Sequence, residues 1–232
     1  MIRVVKLRPI LMVMGILLAS VLLSIGIVSV VSVKEIPKSV YTIVIDAGHG
    51  GRDDGCSGFG GSKESDINLK VAKNLKTFLE EMGVKVVMTR SDKNALYDAD
   101  ATNFKESDMK NRMKVIDSAN PQMVISIHQN SFTDSSVKGA QAFYQEDEEK
   151  SKVFAESVQS QLLTQLPNAK KECNAGDYYL LKESRYPAII VECGYLTNSE
   201  EEKLLISDEY QNKVAYSIMC GVVKYFGLAG ND

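Results

Sequence analysis

The chain has 232 residues, 44% hydrophobic and 25% charged, which is enough for one well-buried domain and short for two. Arg3, Lys6 and Arg8 are the only charges before Lys34, and the remainder carries 24 basic against 30 acidic residues. That acidic balance argues against nucleic-acid binding, which needs a basic face.

In chain order, residues 1–9 form a short basic N-terminus. Residues 10–33, ILMVMGILLASVLLSIGIVSVVSV, are 24 consecutive uncharged positions. About 20 helical residues cross a bilayer, whereas the apolar region of a cleavable signal peptide is usually about 7–15 residues. The length therefore favours an uncleaved transmembrane anchor, with Ser24-Ile25-Gly26 as a faint cleavage candidate. The basic residues upstream put the N-terminus in the cytoplasm and everything after Lys34 outside it. Residues 34–39, KEIPKS, read as a linker, and the folded domain is expected over 40–232.

Strands and helices then alternate. YTIVID (41–46) reads as a buried strand, short and β-branched. Ile67, Val71, Leu75, Phe78, Leu79 and Met82 fall at helical spacing over 66–82, with Gly83 at the expected C-cap. VKVVMT (84–89) is the next strand, followed by a polar loop over 91–106 and a helix over about 107–119. QMVISIH (122–128) and GAQAFYQ (139–145) read as strands, and 148–166 as an amphipathic helix whose first turn carries the acidic run EDEEK. AIIVE (188–192) is a last strand and 208–226 a last helix. This alternation predicts a single α/β domain: a central mostly parallel or mixed sheet, flanked by helices on both faces. Functional residues should gather beyond the carboxyl ends of its strands.

The chain has only two histidines, His49 and His128, and each comes directly after an apolar strand. Two imidazoles at one sheet edge suit a metal such as zinc, whose catalytic sites generally have three protein ligands and an open position. Glu64 is the candidate third ligand, because six glycines between 50 and 61 let the preceding loop fold back toward His49. Glu192 ends the 188–192 strand at the same edge, where a carboxylate can act as general base and then general acid. Each residue also has a plainer reading: a hydrogen-bonded histidine, a helix-capping glutamate, a salt-bridged glutamate. Spacing alone leaves both open. Cys56, Cys173, Cys193 and Cys220 match no zinc pattern. Connectivity is not readable from sequence, so no disulfide is assigned, and Cys220 is expected to be a buried free thiol. Cys193 faces away from Glu192 by strand alternation, which argues against a nucleophilic role.

IDAGHGG, the glycine-rich loop ending in Glu64, TR (89–90), the Arg112 helix, SIHQNSF (126–132) and VECGYLTN (191–198) together resemble the Amidase_3 family of zinc-dependent N-acetylmuramoyl-L-alanine amidases. The match runs in order over about 41–227. The resemblance implies one Zn2+ held by His49, Glu64 and His128, with Glu192 as catalytic acid/base. It also implies cleavage of the amide between the lactyl group of N-acetylmuramic acid and the stem-peptide L-alanine. Asn130 looks like a residue beside the ligands, and Arg112 has a structural or substrate-facing part. Glu64-Ser65-Asp66 stands where the family often has Glu-Lys-Asp, and Gly194-Tyr195 where it has Gly-Phe; the ligand is kept.

A membrane-tethered amidase of this size resembles the sporulation branch, which trims cortex peptidoglycan so that a muramic acid deacetylase can complete muramic-δ-lactam, needed at germination. The implied partners are the glycan strand with its stem peptide, the membrane and, as an open question, an accessory envelope protein. The implied place is between the forespore membranes. A vegetative wall amidase and a non-catalytic peptidoglycan-binding module are the alternatives.

Overall fold

The structure is a computed structural model that describes residues 41–228. The expected basic terminus, span and linker lie outside those residues. Among the described residues, no helix is long and apolar enough to cross a membrane.

Six strands make one mixed sheet: β1 (Thr42–Ala47), β2 (Lys85–Met88), β3 (Met123–Asn130), β4 (Gln141–Tyr144), β5 (Asn174–Ala175) and β6 (Ala188–Tyr195). Their order is β2-β1-β3-β6-β4-β5. β2, β1, β3 and β6 run parallel, while β4 is antiparallel to β6 and parallel to β5. The helices are α1 (Glu64–Glu81), α2 (Phe104–Ala119), α3 (Glu149–Gln165), α4 (Tyr179–Glu183), α5 (Ser199–Leu205) and α6 (Asp208–Phe226).

The central strands are continuous apolar runs because both faces are covered. Alternation sends Ile43, Ile45, Ile125, Ile127, Ile189 and Val191 into the larger core with α1, α3 and α6. Val44, Val124 and Ile190 face the other way, onto Ile116 of α2 and Leu180 and Leu181 of α4. Leu75 and Leu79 of α1 are completely buried, and truncating such a leucine to alanine costs about 2–5 kcal/mol. α6 ends at Gly227, whose φ of 64° makes the left-handed cap that glycine adopts without strain.

Several boundaries differ from the sequence expectation. α2 begins at Phe104 because Asn103 caps it, its side chain accepting from the Glu106 amide. Glu64 is the first residue of α1 rather than a residue preceding it. β3 and β6 run two and three residues past the expected ends, which takes His128 and Glu192 into paired strands. All four cysteines are free thiols, and Cys220 is half-buried rather than buried.

Candidate active site

His128 and Glu192 are register partners on the neighbouring parallel strands β3 and β6, so their side chains share one face of the sheet edge. His49 lies two residues beyond β1, at φ 60°, a left-handed conformation uncommon for a residue with a Cβ. Glu64 arrives from the other side, at the N-terminus of α1. Glu64 Oε1 is 3.2 Å from His49 Nε2 and 3.0 Å from His128 Nδ1, and the two rings meet edge-on with centroids 5.0 Å apart. One ligand atom from each of the three residues lies within 4.8 Å of the others, a spread that one divalent ion can span.

Backbone shape explains the glycines. A Cβ on Gly48 would stand 2.3 Å from the His128 ring. Gly55 turns at φ 72°, and a Cβ there would lie 2.4 Å from Glu64 Oε2. Both positions admit only a bare backbone, one against His128 and the other against Glu64.

Glu64 and His49 are both held from behind. Glu64 accepts from the Gln129 amide at 3.1 Å, from Asn68 Nδ2 at 3.2 Å and, through Oε2, from the Cys56 amide at 2.9 Å. His49 Nδ1 lies 2.9 Å from Asp53 Oδ2, and the other Asp53 oxygen is 3.1 Å from Lys105 Nζ. Such a carboxylate fixes the tautomer and leaves Nε2 free to ligate. Two buried arginines hold the turn itself. Arg90 donates to the carbonyls of Ala47, Gly48 and Ser65, and Arg112 to those of Ala47 and His49. Arg112 also pairs with Asp46 at 2.7 Å and Asp108 at 2.8 Å, and is 1% exposed.

The electrostatics favour a cation between these groups. Burial pushes the Glu64 carboxyl up, but the two imidazoles outweigh it and hold it well below the usual carboxylate range. Burial lowers His49, yet Glu64 and Asp53 raise it to about 9, so in the metal-free protein it carries the positive charge itself. Glu192 is different. Burial raises it to about 7, the Glu64 charge adding to the rise, against the His128 charge and the Tyr178 hydrogen bond. Tyr178 Oη donates to Glu192 Oε1 at 3.3 Å, while Oε2 is buried with no partner among the described residues. A carboxylate poised near neutrality with a free oxygen is suited to carrying a proton.

The structure thus brings His49, Glu64, His128 and Glu192 together. Arg112 sits beneath the turn, where it braces the His49 carbonyl. The Asn130 side chain accepts from its neighbour Ser131, and the adjacent Gln129 supplies the contact to Glu64 instead. Sequence reasoning did not single out Asp53, Asn68 or Tyr178, and it quoted Arg90 and Gln129 only within the TR and SIHQNSF motifs, with no role assigned. Asn68 offered a signal, being polar one helical turn from Glu64 and Ala72 on the inward face of α1. A cavity of about 270 Å³ opens beside the two histidines, walled by Tyr97, Phe104, Lys105 and Tyr178.

Residues 43–224 match the family described as N-acetylmuramoyl-L-alanine amidase, Amidase_3. The chain is 33% identical over 201 residues to the germination-specific N-acetylmuramoyl-L-alanine amidase of Bacillus subtilis, covering 85% of this chain and 84% of that one. It superposes on the CwlD amidase of Clostridioides difficile, solved in complex with the GerS lipoprotein, with a TM-score of 0.78 at 36% identity over 81% of this chain and 98% of that one. The catalytic domain of CwlV, an N-acetylmuramoyl-L-alanine amidase from Bacillus (Paenibacillus) polymyxa, gives 0.72 at 30%, covering 81% and 99%. With four fifths of its length aligned to relatives of this kind, the chain belongs to the Amidase_3 family and is an N-acetylmuramoyl-L-alanine amidase acting on peptidoglycan.

Proposed function

We propose that this amidase is zinc-dependent and acts on spore-cortex peptidoglycan, freeing muramic acid of its stem peptide so that a deacetylase can complete muramic-δ-lactam. The observation that carries the cortex reading is the likeness to the germination-specific enzyme over 84% of that enzyme's length, in a chain that clusters His49, Glu64 and His128 with Glu192 beside His128 in register. His49 Nε2, Glu64 Oε1 and a His128 ring nitrogen would hold the ion, a donor set of two imidazoles and one carboxylate that fits zinc. Bound there, zinc supplies Lewis acidity and favours ionisation of water at neutral pH.

The chain's own residues do the rest. Glu192 Oε2, unpaired and buried, takes the proton of the attacking water as the tetrahedral centre forms on the lactyl carbonyl. It then hands that proton to the departing alanine nitrogen. The Tyr178 hydroxyl fixes Oε1, so Oε2 is the oxygen left to face the reaction. Burial of Glu192 makes it basic enough to accept and acidic enough to return the proton. The aromatic-walled cavity beside the histidines receives the substrate adjoining the scissile amide.

Residues 10–33 would tether the domain to a membrane, with residues 40–232 extracytoplasmic and, in a sporulating cell, between the forespore membranes. A lipoprotein in that space is the accessory partner this reading names, by extension from the solved relative. The test is digestion of cortex and vegetative peptidoglycan side by side, read by mass spectrometry. The reading expects peptide-free muramic acid, in greater yield from cortex. Preferential release from vegetative wall would move the enzyme to wall turnover.

A further inference from the structure

The glycine loop before Glu64 raises a physical question, because six glycines make a mobile chain that must still deliver a ligand accurately. Its tip has no apolar anchor: Phe59 is 85% exposed. Residues 57–63 fold as a small hairpin, with Ser57 bridged to Lys63 and the Gly58 amide donating to the Ser62 carbonyl at 2.8 Å. At the base of that hairpin, the Glu64 amide donates to the Cys56 carbonyl at 3.1 Å and the Cys56 amide to Glu64 Oε2 at 2.9 Å.

What meets the tip is a carboxylate from α5. Glu202 is 5% exposed and forms no salt bridge among the described residues. Its oxygens accept from the Gly60 amide at 2.7 and 2.9 Å, from Ser62 Oγ at 2.6 Å and from the Ser62 amide at 3.4 Å. Gly58 makes room for it, since a Cβ there would stand 2.1 Å from Glu202 Oε1. The preceding residue, Glu201, clamps a different pair of amides: Tyr195, just past Glu192 on β6, and Gly139. Two adjacent buried glutamates on one short helix thus hold the two sides of the site separately.

We propose that Glu202 is a positioning residue for Glu64: it pins the tip of the 57–63 hairpin, so that the N-terminus of α1 presents its carboxylate to His49 and His128 before any metal arrives. This rests on the reading of those three residues as the metal ligands. Charge-assisted hydrogen bonds to loop amides are the strong kind, and they act here on a segment that nothing apolar restrains.

The test uses the full chain stripped of metal, with zinc affinity measured against a chromophoric chelator and amide exchange followed across 57–64. Glu202→Asp withdraws the carboxylate by one methylene, and Glu202→Ala removes it. Both are expected to weaken zinc binding by about tenfold or more, the scale seen for groups behind metal ligands. Both should also speed exchange at Gly60 and Ser62 in the metal-free protein. Glu202→Gln, which keeps an acceptor oxygen in place, should bind zinc more tightly than either. Excess zinc should restore kcat to Glu202→Asp, a rescue that a misfolded protein would not show. Glu201→Gln should leave exchange at 57–64 unchanged. Wild-type zinc affinity in the Asp variant, or unchanged exchange at Gly60 and Ser62, overturns the proposal. Failure of the unaltered chain to bind zinc would overturn the ligand reading instead.

Discussion

Replacing Arg112 by methionine should be among the most damaging single changes in the described domain. Its guanidinium, 1% exposed, is shared by Asp46, Asp108 and the carbonyls of Ala47 and His49. Methionine fills much of the volume but strands an ionised Asp46 that is 2% exposed. Ser126 and Thr89 still donate to that carboxylate, so the charge keeps two of its partners. Breaking a buried pair by removing one member costs about 3–5 kcal/mol. Set against a total of about 5–15 kcal/mol for a domain, that is about a fifth of the stability or more.

Urea unfolding of the metal-free chain, followed by far-UV circular dichroism, measures the loss. With a slope of about 1–3 kcal/mol per molar, the midpoint should fall by more than about 1 M. Arg112→Lys keeps the charge without the fork, so it should lose less. The pH dependence has a definite sign. Burial pushes Asp46 up, but Arg112, Ser126 and Thr89 together hold it well below the usual carboxylate range. Its contribution is therefore fully present above the unfolded value of about 3.9 and is lost as pH falls below that. An Arg112→Met protein within about 1 kcal/mol of wild type would refute this account of the turn beneath the site, because even a modest unpaired buried charge costs more.

Three further outcomes follow from the same geometry. Glu192→Gln should bind zinc as the wild type does, by equilibrium dialysis, while losing at least about a hundredfold in kcat, the lower end of a general acid–base contribution. Zinc uptake near pH 7 should release at least about one proton, because His49 is held at about 9 in the metal-free protein and must be neutral to ligate. Calorimetry in buffers of differing ionisation enthalpy reads that proton, and zinc affinity should climb with pH until about 9. Gly48→Ala would put a Cβ 2.3 Å from the His128 ring, so the ring should be displaced and zinc binding lost while circular dichroism shows the sheet intact.

The elements that announced themselves in the sequence are those whose burial is periodic. α6 occupies 208–226 as expected, because Val214, Ile218 and Val222 recur along one buried face. α4 and α5 are too short for such a period to register, and β5 has only two residues. The acidic stretch Glu200-Glu201-Glu202 looks like a solvated face, yet Glu201 is 1% exposed. Its partners are backbone amides, which no side-chain pattern reveals. Strand ends and a glycine loop pointed His49, Glu64, His128 and Glu192 toward one sheet edge, but spacing alone left plainer readings open and the family motifs were needed to join them as one site. The residues behind them were not, since Arg90 and Gln129 act only through contacts that the fold creates between distant segments.

The central claim is that one ion sits between His49, Glu64 and His128. Crystals of the zinc-loaded chain, measured at the zinc absorption edge, test it directly. The account predicts a single anomalous peak at about 2.0–2.2 Å from the two imidazole nitrogens and the Glu64 oxygen, with Glu192 close by but outside the coordination sphere. A peak anchored on other residues, or zinc-saturated crystals with no peak at these three, would contradict it.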